Sequence, residues 1–92
     1  MAQVVATIKI MPENPESDLS SIQDKAEEEI KKFAGETPIK AEQEPIAFGL
    51  KALKLTFVMD EDKGSTETLE TDIKKIPGIN SVETVDVRRA IG

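Results

Sequence analysis

Ninety-two residues, 38% hydrophobic and 33% charged, describe one folded domain with a thin core, because a chain of this size buries only about 60–65% of its unfolded surface. A net charge of −6 with no Cys, no His and no Trp or Tyr excludes disulfides, thiol chemistry, the usual zinc and copper sites and a histidine base. It also opposes non-specific nucleic-acid binding and leaves few platforms for stacking bases. No apolar run approaches the about 18 residues that suggest a membrane span, and the N-terminus lacks the layout of a signal peptide, so a cytoplasmic protein without a membrane partner is expected.

From Gln3 to Met11, Val4, Ala6, Ile8 and Ile10 alternate with Val5, Thr7 and Lys9, the period of a half-buried strand. Pro12 and Pro15 close it. Ser17 or Asp18 can then cap a helix whose apolar residues, Leu19, Ile22, Ala26, Ile30 and Phe33, recur in steps of three and four; Gly35 is its expected stop. The charges on its other face, among them Glu27, Glu28, Lys31 and Lys32, read as a solvated surface.

Between Thr37 and Ile46 the alternation is weak and charged, which suits an edge strand protected from wrong pairing. The segment Ala47 to Met59 carries a clear one: Leu53, Leu55, Phe57 and Met59 share one face of a central strand, Lys54, Thr56 and Val58 the other. A polar turn, Asp60 to Gly64, precedes a helix capped by Ser65, carrying Leu69, Ile73 and Ile76 inward and ended by Pro77 and Gly78. Ile79 to Arg89 is rich in β-formers, but Val82, Val85 and Val87 keep no single phase, so a bulge is expected.

The order β, α, β, β, α, β predicts an α+β protein of the ferredoxin-like class, a split βαβ sandwich in which both helices cover one face of a four-stranded antiparallel sheet. The open face is expected to show Val5, Thr7, Lys9, Lys54, Thr56, Val58, Thr84 and Asp86. That face has no aromatics at the positions where an RNA-recognition sheet places them. The acidic run Asp60–Asp62 lacks the Gly and Glu of a calcium loop, and Gly49, Gly64 and Gly78 stand isolated, so neither a metal site nor a phosphate loop is present and no cofactor is expected. An acyl-phosphate hydrolase of this topology is disfavoured, since Pro12 to Pro15 makes a poor anion cradle.

Two features stand out. Phe48 next to Gly49 occupies a projecting loop; by composition it reads as a core or loop-packing residue, with an exposed anchor as the alternative. Asp86, Val87, Arg88 and Arg89 end the last strand with a basic pair in an acidic chain. Charge balance explains such a pair, and contact with an acidic or phosphate-bearing partner is the other reading.

The run Pro45 to Lys63, PIAFGLKALKLTFVMDEDK, resembles the signature of the translation elongation factor 1-beta family, and the opening VVATIKIMPENPE is similar to its archaeal members. The end, Val82 to Arg89, resembles the family's closing strand. The resemblance covers essentially the whole chain, 1–92, as a single exchange domain standing without the N-terminal regions of eukaryotic relatives. It implies the same sandwich and an exchange factor, not an enzyme, that loosens GDP and magnesium on the elongation factor 1-alpha GTPase. It also implies GTPase contacts at Phe48, Gly49 and Lys51, with Asp86, Arg88 and Arg89 at the far end of the motif set. Eukaryotic members carry a lysine one residue before the C-terminus; that position here falls on Gly92, and Arg88 or Arg89 is the expected substitute. Alternation sends Arg88 to the open face and Arg89 toward the helices. The factor is expected to be a monomer when free and to bind no nucleic acid directly. The alternative is a small self-associating ligand-sensing domain of the same topology.

Overall fold

The computed structural model describes residues 2–90. Its elements are β1 Gln3–Pro12, α1 Leu19–Ala34, β2 Ile39–Pro45, β3 Lys51–Asp60, α2 Glu67–Lys74 and β4 Ile79–Arg89, with short turns at Ala47–Gly49 and Glu61–Lys63. The strands form one antiparallel sheet in the order β2-β3-β1-β4, the expected split βαβ sandwich.

The alternation in β1 and β3 builds the core. Ala6 faces Phe57 and Ile8 faces Leu55 across the ladder, and all four are buried. Ile22, Ala26 and Ile30 of α1 and Leu69 and Ile73 of α2 close over them. Asp18 is the cap of α1: the Ser20 and Ser21 amides donate to its Oδ1 at 3.1 and 3.2 Å. That satisfies two of the amides a helix start leaves without partners. Gly35 ends the helix in the positive-φ region at 85°, its amide donating to the Lys31 carbonyl.

Four local expectations change. The central strand starts at Lys51, four residues after Ala47, because Phe48 and Gly49 both take positive φ and cannot continue a strand. Helix α2 stops at Lys74, leaving Ile76 half-buried just beyond it. Ser65 does accept from the Glu67 amide at 3.1 Å, but Thr66 holds the cap position and its hydroxyl points elsewhere.

The fourth change concerns the sheet faces. In β4 the pairing jumps from Thr7–Asp86 to Ile8–Thr84, so Val85 is the extra residue of the expected bulge. Beyond it Asp86 and Arg88 lie opposite Thr7 and Val5 on the open face, as expected. Before it the phase is reversed. Thr84 lies opposite the buried Ile8, on the helix side, and not on the open face as strict alternation through Val85 would have it.

Candidate protein-docking ends

The connection from β2 to β3 is a tight reversal. The Leu50 amide donates to the Ala47 carbonyl at 3.3 Å, and the Ile46 amide donates to the Leu50 carbonyl at 2.7 Å. Phe48, at φ 64° and ψ 29°, and Gly49, at φ 76°, are the two central residues, the left-handed pair of a type I′ turn. Such turns favour Asn-Gly, because a Cβ in the left-handed region crowds the following carbonyl oxygen. Phe48 violates that preference and is 92% exposed. The core or loop-packing reading is therefore overturned: no neighbour among the described residues covers the ring. Gly49 lies beside Pro15, and Lys51 opens β3 with its side chain exposed. The adjoining groove, about 390 Å³, mixes Asn14, Ser17, Asp18 and Lys51.

The other candidate residues gather elsewhere. Arg88 Nε donates to Asp86 Oδ2 at 2.9 Å on the open face. Arg89, opposite Val4 on the helix side, reaches Glu61 in the turn after β3, with Nη2 to Oε2 at 2.8 Å, so its guanidinium is tied to that turn rather than laid over the helices. Beside this pair, Val4, Met59 and Val87 line an apolar hollow of about 290 Å³, and Val87 is half exposed.

Antiparallel pairing puts the two groups at opposite ends of the sheet. Lys51 is at the Phe48 end, whereas Val58 pairs with Val5, which pairs with Arg88. At about 3.3 Å per residue, the run from Lys51 to Val58 sets them about 23 Å apart. Phe48, Gly49 and Lys51 thus form one cluster, and Asp86, Arg88 and Arg89 another. Gly92, where the resemblance places the near-terminal lysine, lies outside the described residues.

Between the ends runs the open face. Thr7 and Thr56 join hydroxyls at 3.1 Å, and Lys9 stands opposite Lys54 in the ladder. Two ammonium groups side by side repel, and carboxylates relieve them: Glu83 is opposite Lys9, and Glu44 Oε2 lies 3.0 Å from Lys54 Nζ. Hydrogen bonding and the charge of Lys54, with a smaller contribution from Lys9, hold the Glu44 carboxyl below the ordinary carboxylate value. No group of acidic side chains suited to a metal ion occurs among the described residues, and no described helix is long and apolar enough to cross a membrane.

An exposed aromatic ring at one end of the sheet and a basic strand end at the other are surface features of the kind that meet another protein. Residues 5–90 match the model of the EF-1 guanine nucleotide exchange domain. The elongation factor 1-beta of Methanothermobacter thermautotrophicus is 43% identical over 97% of this chain and 98% of that protein. That of Methanobrevibacter smithii is 45% identical over the same shares. The Desulfurococcus amylolyticus protein is 40% identical over 97% of this chain and 98% of its own length. Among solved structures, the de novo designed protein Foldit4 superposes with a TM-score of 0.63 at 21% identity, covering 98% of each chain, a likeness of fold alone. The chain belongs to the EF-1 guanine nucleotide exchange family, and its activity is nucleotide exchange on the elongation factor 1-alpha GTPase.

Proposed function

We propose that this chain, acting as one domain over residues 1–92, accelerates GDP release by holding the GTPase at both ends of its sheet, Phe48 as apolar anchor at one end and Arg88 at the other. The observation that carries this reading is Phe48, a large apolar side chain held in a disfavoured backbone conformation with 92% of its surface open to solvent. Local rules are broken in this way where the break serves a function.

Exchange then follows from linkage. GTPases hold GDP through a phosphate-binding loop and magnesium. A factor that binds the nucleotide-free form more tightly than the GDP form lowers GDP affinity by the same ratio. A ring seated in an apolar pocket of that form supplies differential binding, and a guanidinium near the phosphate site competes for the charges that hold magnesium. No covalent bond changes, so the factor is not an enzyme. It works in the cytoplasm as a monomer when free and without direct nucleic-acid contact.

The test is release of a fluorescent GDP from the cognate GTPase. Release rises with factor concentration and saturates; an unchanged rate with a folded, cognate pair refutes the reading. Size-exclusion chromatography checks the monomer against the self-associating alternative.

A further inference from the structure

The bulge at Val85 decides where the end of β4 points, and a cluster of polar side chains sits beside it. Thr84 Oγ1 donates to Glu70 Oε2 at 2.6 Å, and Thr66 Oγ1 lies 2.8 Å from Thr84 Oγ1. With the Thr84 proton committed to the carboxylate, Thr66 is the donor to Thr84, and its 3.5 Å approach to Glu70 is the weaker alternative. All three side chains are half-buried between α2 and β4. Thr66 occupies the cap position of α2 yet makes no capping bond; its hydroxyl is turned across to the strand, and Ser65 serves the helix amide instead. A helix normally uses a threonine there for itself.

The register shows what the cluster holds. Continued backwards from Thr7–Asp86 without the extra residue, the ladder would set Val85 against Ile8 and Glu83 against Ile10, a carboxylate over the core and Val82 turned outward. The bulge returns Val82 to the core while Asp86 and Arg88 stay on the open face. Thr84, the residue that meets the carboxylate of α2, is the last paired residue before the break.

We propose that Glu70, Thr84 and Thr66 are positioning residues for exchange, a polar clamp that pins the bulge and thereby aims Arg88 at the GTPase. The proposal rests on the reading that the Arg88 end touches the GTPase. The clamp acts through the strand and touches no partner itself.

The test uses the full chain with three substitutions in the clamp, Thr84→Val, Thr84→Ser and Glu70→Gln, and Arg88→Ala beside them, each checked for folding by thermal unfolding. Cross-strand proton contacts read the register directly in Thr7–Asp86 and Val5–Arg88. Thr84→Val is expected to weaken those contacts and raise amide exchange in Asp86–Arg89, while the Phe48 turn keeps its signals. Stimulated GDP release at saturating factor should fall about tenfold, within what a hydrogen bond to a charged group controls. Thr84→Ser restores both readouts. Glu70→Gln, which keeps an acceptor oxygen, gives a smaller loss; should Thr84→Val fail to fold, this variant carries the test. Unchanged contacts and unchanged release in a folded variant overturn the clamp. Lost contacts with unchanged release, joined by an equally silent Arg88→Ala, overturn the underlying reading of the Arg88 end. Lost contacts with unchanged release and a damaging Arg88→Ala overturn the positioning role alone.

Discussion

Replacing Phe48 by Asn separates stability from activity in a single variant. A residue with a Cβ in the left-handed region carries about 1–2 kcal/mol of steric cost, which Asn relieves in part through its short polar side chain. Phe48 sits there at φ 64°, and with 92% of its surface exposed it returns almost no burial energy to the fold. Phe48→Asn is therefore expected to raise stability by about 0.5–1 kcal/mol. In a domain of this size about 1 kcal/mol moves the thermal midpoint by roughly 4–8 °C, so an upward shift of a few degrees is the readout. Stimulated GDP release should move the other way. Loss of an aromatic anchor costs about 2 kcal/mol or more of binding, a weakening of roughly thirtyfold. Phe48→Ala, which keeps the Cβ and hence the crowding, should match Asn in lost exchange without matching its gain in stability. A drop of about 3–5 kcal/mol in either variant, as for a truncated core Phe, would refute the exposed turn. Higher stability with unchanged exchange would refute the anchor.

The remaining expectations use the same two assays. Arg88→Ala should slow stimulated release more than Arg89→Ala, because Arg88 lies on the open face beside Asp86 of its own strand while Arg89, on the helix side, is tied to Glu61 in the turn after β3; equal effects would remove the distinction. Phe57→Ala should cost about 3–5 kcal/mol in urea unfolding, since the ring is buried at the centre of the core, and release should fall only as far as the folded fraction does. The lowered carboxyl of Glu44 stabilises the fold above its unfolded value near 4.5, and that contribution is lost as pH falls through the lower folded value. Glu44→Gln should therefore flatten the acid limb of the stability profile, and an unchanged limb would show that the Lys54 pair contributes nothing in solution.

The sheet and its core were legible because alternation is unambiguous in β1 and β3, where Val4, Ala6, Ile8 and Ile10, and Leu53, Leu55, Phe57 and Met59, recur at every second position. The place of Phe48 was not. Hydrophobicity argues inward, and only the backbone shows that Phe48 and Gly49 share a turn too tight to fold the ring back. Thr84 was misplaced for a different reason. The valines reveal that β4 slips phase, but Thr suits either face, so nothing in the residue types marks Val85 as the step. Its partners, Glu70 in a short helix and Thr66 at its cap, are polar residues with no spacing that would signal a strand contact. The separation of the two candidate ends follows from antiparallel pairing, which the motifs themselves do not encode.

The uninterrupted pairing of β1 with β3 has a consequence for how such a molecule can change over time. From Gln3–Asp60 to Ile10–Leu53 the register runs without a break, so this part of the sheet behaves as a stiff gauge between the Phe48 turn and the end of β4. Losing one residue from either strand would turn every later side chain to the wrong face. The gauge can be recut only by removing residues in facing pairs from both strands, in increments of about 6.6 Å, far coarser than the tolerance of a docked ring or guanidinium. On the two-ended grip, length in these strands is held as tightly as the identity of the residues at their tips, and natural variation should be confined to the loops and to the outer edge of β2.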